Sequence, residues 1–291
     1  MQIKSEHSKL FFYALVFGFF LLLIYSIFIY SNQVFAEELN TQPEVLEKNS
    51  QINVNAPEQI IQEKILAESY VIYDVNSKKI IRSQNASKPL PIASLTKVIT
   101  VGTLLDTAKK NNIQIREETK YRIQKALIQS SNEDADSLGY IYQYSFGKDL
   151  LAESNNLVTQ LGINNLHLTN LTGLDNWDGT ASNIGSAESI AKVFAYMYEN
   201  YRDVFEFTKF DELNLGWDII ENTNHSINST FGVLASKTGY TFTAGGNLAV
   251  IVSPEPGRTF VIVVMQSTKE GRFTDMQKLV KLLPLILKES N

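Results

Sequence analysis

Pro91-Ile-Ala-Ser94-Leu-Thr-Lys97-Val-Ile-Thr100 is the stretch whose reading decides the fold. A serine and a lysine stand three residues apart at the head of an apolar, helix-like run. Positions i and i+3 of a helix share a face, so Ser94 Oγ and Lys97 Nζ can meet. A serine hydroxyl is a weak nucleophile at its own pKa and needs an adjacent base. An amine serves only where burial or a neighbouring cation lowers its pKa. Leu95, Val98 and Ile99 offer an apolar wall for that purpose. The same letters also fit a plain helix start, with Ser94 as N-cap and Lys97 in water. A Ser-x-x-Lys spacing arises about once by chance in a chain of this length, and a second copy stands at Ser189-Ile-Ala-Lys192. The rest of the chain separates the two.

The 291 residues can hold one large domain or two small ones. Their apolar content is ordinary but unevenly spread. No charge occurs from Leu10 to Ala36, and Leu10–Tyr30 is long enough to cross a hydrocarbon core of roughly 30 Å. Lys4 and Lys9 precede this run, and Glu37 and Glu38 follow it. The positive-inside rule therefore predicts a cytoplasmic tail at 1–9, a transmembrane helix at 10–30 and an extracytoplasmic remainder. A cleavable signal peptide ending at Ala36 is the alternative, since Val34-Phe35-Ala36 puts a small residue at −1. The apolar run exceeds the roughly 7–15 residues of a signal core, which favours an uncleaved anchor. The chain has no cysteine, which excludes disulfides and thiolate chemistry. A net charge of −5 without a basic stripe gives no sign of nucleic-acid binding. The histidines (His7, His167, His225) are too few and scattered for a metal site or a Ser-His-Asp triad, so neither a metal nor a cofactor is expected. A lysine-based serine mechanism gains by that elimination.

Residues 31–65, rich in Asn, Gln, Glu and Pro, read as a flexible linker spanning roughly 30 Å. The folded unit is expected at 66–291. A hairpin is predicted at Ser69–Asp74 and Ile80–Ile81, then helices from Ser94 to Lys110, Glu117 to Ile128, Glu133 to Tyr144 and Gly147 to Leu161. Asn164–Gly185 reads as a long polar loop, and Ser186–Tyr201 as a helix with Ile190, Val193, Phe194 and Met197 on one side. Strands are predicted at Val204–Phe210, Leu213–Ile220, Thr230–Lys237, Asn247–Val252 and Phe260–Gln266, and a closing helix at Thr274–Lys288. Early strands, central helices, late strands and a final helix predict an α+β fold. Its antiparallel sheet is flanked by helices on both sides, and the two ends of the chain meet in that sheet.

Three signals lie in the order Ser94-x-x-Lys97, Ser130-Ser131-Asn132 and Lys237-Thr238-Gly239. Ser-x-Asn alone is a common turn or cap. Lys-Thr-Gly is rarer, on the order of 0.1 per chain at average composition, and here ends an apolar strand. The second Ser-x-x-Lys follows the Ser-x-Asn instead of preceding it, so it reads as structural. With these residues in view the chain resembles the penicillin-binding and serine β-lactamase superfamily. Within that superfamily it is most similar to the low-molecular-mass penicillin-binding proteins that are D-Ala-D-Ala carboxypeptidases. Ile128–Ala135, Asn222-Thr-Asn224, Lys237–Thr241 with Ala244-Gly245, and Leu161-Gly-Ile leading to Asn170–Leu174 carry the likeness. It extends from about Leu66 to the C-terminus. The segment between Lys97 and Ser130 is short for that family, no β-sandwich domain follows, and the middle motif is Ser-Ser-Asn where Ser-Gly-Asn is commoner.

The resemblance implies a β-lactamase/transpeptidase-like fold and acyl transfer on peptidoglycan stem peptides, with β-lactams as inhibitors. Ser94 would be the nucleophile, Lys97 its base and Ser130 a proton relay. Asn132 would meet the substrate amide or orient Lys97. Lys237 would depress the pKa of Lys97 by like-charge repulsion and, with Thr238, bind the terminal carboxylate. The backbone N–H groups of Ser94 and Tyr240 would form the oxyanion hole, and Gly239 would let the strand approach substrate. Arg272 matches a region where relatives keep a carboxylate-binding arginine, against the plain reading of a solvated helix-start charge. Rival functions are a DD-endopeptidase, a β-lactamase and a non-catalytic binder of wall peptides. Phe210-Asp-Glu-Leu-Asn214 has Phe where a class A β-lactamase needs its carboxylate. A pure binder need not keep Ser94, Lys97, Ser130 and Lys237 together.

Overall fold

A computed structural model describes residues 64–224 and 232–289. The span at 10–30, the cleavage point after Ala36 and almost all of the linker lie outside the described residues. Among those described, no helix is long and apolar enough to cross a membrane.

Five antiparallel strands build the main sheet: β1 (Ser69–Asp74), β2 (Lys79–Gln84), β8 (Val233–Thr241), β9 (Gly245–Glu255) and β10 (Arg258–Ser267), in the order β2-β1-β10-β9-β8. Strand β1 pairs with β10 from Ser69↔Met265 to Asp74↔Phe260, so the two ends of the folded unit meet in the sheet as the sequence predicts. Alternation along the strands gives the sheet two apolar faces. Ile72, Leu248, Val250, Ile262 and Val264 pack under the last helix, α6 (Gly271–Glu289), against Met276, Leu279 and Leu283. Val71, Ala235, Ala249, Ile251, Val261 and Val263 face the other helices.

That second layer holds α1 (Thr96–Lys110), α2 (Glu117–Gln124), α3 (Asn132–Phe146), α4 (Leu150–Gln160) and α5 (Ala187–Phe205). Helix α1 is buried on nearly every side, and α5 carries Ile190, Val193, Phe194 and Met197 into the core as its pattern requires. Two-residue strands β3 (Leu90–Pro91), β4 (Leu166–His167) and β5 (Ile184–Gly185) clip the long loop to the segment before Ser94.

Three local expectations fail. Val204–Phe210 is not a strand: α5 runs to Phe205 and a 3-10 turn follows at Glu206–Lys209. Phe205 and Thr208 are buried three apart, and the turn covers part of the β8 edge, with Ser236 N donating to Thr208 Oγ1 at 2.9 Å. Leu213–Ile220 is not one strand but a small hairpin, β6 (Glu212–Asn214) and β7 (Ile219–Glu221), closed through Gly216 at φ +84°. The helix expected through Ile128 ends at Gln124 and continues as a π turn over Lys125–Gln129.

Candidate active site

Ser94 sits in a 3-10 turn (Ala93–Leu95) that runs directly into α1. Ala93 takes a left-handed conformation at φ +47°, a geometry that costs an L-residue about 1–2 kcal/mol. Its surroundings hold it there. Thr96 Oγ1 donates to Ala93 O at 2.8 Å, and Ile92 N donates to Asn183 O at 3.1 Å. Asn247 Nδ2 donates to Pro91 O at 2.9 Å. Ser94 is therefore no N-cap; its side chain makes no capping bond and points to Lys97.

Lys97 is fully buried, with three partners around its amine: Asn132 Oδ1 at 2.7 Å, Thr172 O at 2.7 Å and Ser94 Oγ at 2.8 Å. The amide oxygen and the carbonyl can only accept. A neutral amine has two N–H bonds and one lone pair. Committing both hydrogens to Asn132 and Thr172 leaves the lone pair on Ser94 Oγ, the arrangement a general base needs. Burial pulls the Lys97 pKa down to about 7, while the nearby Asp136 carboxylate works in the opposite direction. Of the two causes expected from sequence, burial is the principal one for Lys97, and repulsion from Lys237 is not. That repulsion weighs on Lys237, which burial first, then the Lys97 and Arg272 charges, hold well below the usual lysine range. Two buried ammonium groups this close disfavour each other. With Lys97 neutral, one of the charges that disfavour the Lys237 ammonium is removed.

Ser130 reaches this pair because the π turn ends in it at φ +63°. Lys237 Nζ donates to Ser130 Oγ at 2.8 Å and to Thr238 O at 3.0 Å. The central motif residue Ser131 faces away as the N-cap of α3, with its hydroxyl on Asp134. Strand β8 is the sheet edge, so among the described residues its outer backbone groups lack a strand partner. Ser236 N points to that edge, and two-residue alternation turns Tyr240 N the same way. A Cβ on Gly239 would lie 3.2 Å from Ser94 N and 3.1 Å from Ile92 O, so glycine sets how closely the edge approaches the nucleophile turn. Thr238 Oγ1 lies 2.5 Å from Thr223 Oγ1. Arg272 is buried and not a solvated charge; its Nη1 donates to Gly239 O at 2.8 Å.

Residues without an assigned role in the sequence complete the site. Asn170 Oδ1 accepts from Thr172 N and Gly173 N, turning the Thr172 carbonyl toward Lys97. Buried Asn183 accepts from the backbone of Thr169 and Asn170 and donates to Thr96 Oγ1. Gly173 (φ +82°) packs so tightly on the Ser94 turn that a Cβ would sit 1.9 Å from Ala93 O. Gly173→Ala should lower stability by roughly 2–4 kcal/mol, from left-handed strain plus overpacking. It should also slow acylation, measured by denaturant melts and stopped-flow. An unchanged melt would show that the loop yields freely. Asn170-Leu-Thr-Gly-Leu174 was legible only as family wording; for Asn183 no local signal exists.

The second Ser-x-x-Lys is structural. Ser189 Oγ meets Ser186 Oγ at 2.8 Å at the head of α5, and Lys192 pairs with Glu188 at 2.6 Å. The Phe210–Asn214 stretch leads into the small β6–β7 hairpin, outside the main sheet, with Asp211 and Glu212 exposed.

The chain matches the family model of D-alanyl-D-alanine carboxypeptidase peptidases over residues 53–145 and 123–269. The chain belongs to this family. Among its relatives are a D-alanyl-D-alanine endopeptidase of Pseudomonas aeruginosa, 24% identical over 250 residues covering 75% of this chain and 77% of that protein. Another is a D-alanyl-D-alanine carboxypeptidase of Haemophilus influenzae, 25% identical over 248 residues covering 75% of this chain and 62% of that protein. The fold of this chain matches ampicillin-bound penicillin-binding protein D2 of Listeria monocytogenes with a TM-score of 0.66. That match has 24% identity and covers 75% of this chain and 97% of that one. It likewise matches penicillin-binding protein 3 of Streptococcus pneumoniae with a TM-score of 0.67, at 23% identity, over 76% of this chain and 80% of that one.

Proposed function

We propose that this chain is a serine-type D-alanyl-D-alanine carboxypeptidase that trims peptidoglycan stem peptides through an acyl-enzyme. The observation that carries the reading is the Lys97 amine, held by two obligate acceptors with its remaining position on Ser94 Oγ. Ser94 Oγ attacks the carbonyl between the two D-alanines while Lys97 takes its proton. The tetrahedral oxyanion is met by Ser94 N and Tyr240 N. Collapse breaks the C–N bond, and the proton that Lys97 accepted passes through Ser130 to the leaving amine, which leaves Lys97 neutral again. Lys237, with Thr238 and Arg272 beside it, neutralises the terminal carboxylate of the departing D-alanine. Asn132, besides holding Lys97, has its amide nitrogen for the substrate backbone. Water then attacks the ester carbonyl while Lys97 takes its proton, and as the acyl C–Oγ bond breaks Lys97 returns that proton to Ser94 Oγ. A β-lactam presents the same carbonyl and carboxylate, so it should acylate Ser94.

Endopeptidase relatives support a second reading, cleavage of the D-alanyl cross-link. Product analysis separates the two. A linear pentapeptide should lose its terminal D-alanine, while a cross-linked dimer stays intact; release of monomers from the dimer as the faster reaction would overturn the carboxypeptidase assignment.

Substrate of this kind lies outside the cytoplasm, which fits the uncharged run at 10–30 as a single-pass anchor of the cell membrane. Protease added to intact cells should reach the region after Tyr30 while an N-terminal tag stays protected. A mature chain beginning at Glu37 would instead establish cleavage.

A further inference from the structure

The Ser130 turn belongs to the helical layer and Lys237-Thr238 to the edge of the sheet, and one short segment reaches both. Asn222-Thr223-Asn224 follows β7. Buried Asn222 fixes it: Nδ2 donates to Thr208 O and Phe210 O at 2.8 Å each, and Oδ1 accepts from Asn224 N at 2.9 Å. Thr223 N donates to Ile128 O at 3.2 Å, inside the π turn that ends in Ser130. Thr223 Oγ1 stands 2.5 Å from Thr238 Oγ1 and 3.4 Å from Ile128 O. The far end of the hairpin is braced against the same helical layer. Tyr121, on α2 just before the π turn, donates to Asp218 Oδ2 at 2.7 Å and packs on Trp217 with ring centroids 4.7 Å apart.

The turn needs such support. Ser130 holds a left-handed conformation at φ +63°, which a residue other than glycine keeps only where its surroundings impose it. Ser131 N on Lys125 O closes the turn from within, and Thr223 N reaches it from the sheet side. Lys237 donates to Ser130 Oγ, so the Ser130 hydrogen is left for the leaving nitrogen. In the acylation step Ser130 gives that hydrogen as the C–N bond breaks and takes the Lys97 proton in its place. Delivery requires Ser130 Oγ within hydrogen-bond reach of the nitrogen at that moment, and a turn that drifts from β8 lengthens the path. We infer that Thr223 is a positioning residue for this proton delivery. Its backbone holds Ile128 and its hydroxyl holds Thr238, so the Ser130 turn and the β8 edge keep one fixed separation. This rests on the acyl-transfer reading above and adds a residue to that same site.

The test compares two substrates on the full chain: Nα,Nε-diacetyl-L-Lys-D-Ala-D-Ala, and the thioester in which D-thiolactate replaces the terminal D-alanine. Both form the same acyl-enzyme and both keep the terminal carboxylate. The amine leaves only when protonated, whereas the thiolate leaves without a proton from Ser130. Thr223→Val should lower kcat/KM about three- to tenfold for the peptide, the worth of one hydrogen bond, and by less than about twofold for the thioester. Any loss of carboxylate binding through Thr238 falls on both substrates, so their ratio reports the proton alone. Thr223→Ala removes the hydroxyl without filling space and should show the same selective loss, while Thr223→Ser keeps the hydroxyl and should restore the wild-type ratio. Equal loss on both substrates, or no loss on the peptide, in the Val and Ala variants overturns the inference and leaves the carboxypeptidase reading intact. Acylation by a fluorescent penicillin, whose lactam nitrogen also takes a proton as the ring opens, separates the two readings. A wild-type chain that turns over the thioester and labels with penicillin but releases no D-alanine overturns the carboxypeptidase reading. Penicillin acylation slowed more than thioester turnover in Thr223→Val would still support the role of Thr223 there.

Discussion

Ser94→Ala is expected to abolish covalent labelling by a fluorescent penicillin and to lower D-alanine release by about 10⁴-fold or more, as for loss of a nucleophile in a concerted site. Among the described residues the hydroxyl has one partner, the Lys97 amine, so its removal leaves the turn held by Thr96, Asn183 and Asn247. The folded state should survive, and a melt within about 1 kcal/mol of wild type checks this. Ser189→Ala is the control: that hydroxyl is occupied by Ser186, and its lysine is paired on the surface. Labelling that persists in the Ser94 variant, or that vanishes only with Ser189, would move the nucleophile elsewhere.

Lys97 should control the pH dependence. Only the neutral amine accepts the serine proton, and burial draws its pKa to about 7. Acylation should thus rise with pH along a limb centred near that value and flatten above it. Below it the amine is protonated and its lone pair lost. Asp136 favours the charged amine, so Asp136→Asn should shift the limb to lower pH. Lys97→Arg keeps a cation that cannot deprotonate, and Lys97→Met removes the base at similar volume. Both should acylate about 10²–10⁴-fold more slowly, the range for loss of general-base catalysis. A Lys97→Arg chain that acylates near the wild-type rate would exclude lysine as the base. Lys237 is a separate case: a neutral residue there should weaken carboxylate binding, and since burial dominates at Lys97, its limb should move little.

The sequence by itself determined the candidate residues for the chemistry and the order of the parts. Ser94 and Lys97 are three apart on one helix, so their meeting is local geometry that the spacing encodes. The apolar alternation of β9 and β10 and the long stripe of α5 likewise state which faces are buried. Where tertiary contact overrides local preference, the sequence reads wrongly. Val204–Phe210 alternates like a strand, yet its turn is recruited to cover Ser236 on the β8 edge. The approach of Ser130 to Lys237, 107 residues apart, depends on a π turn and a left-handed serine that no pattern announces. Only the fold decided the state of the base. The depressed pKa of Lys97 arises mainly from burial among α1, α3 and the Thr172 loop, with Asp136 opposing it. Desolvation depends on everything packed around a group, and that sum of distant contacts is what a linear pattern of residues does not contain.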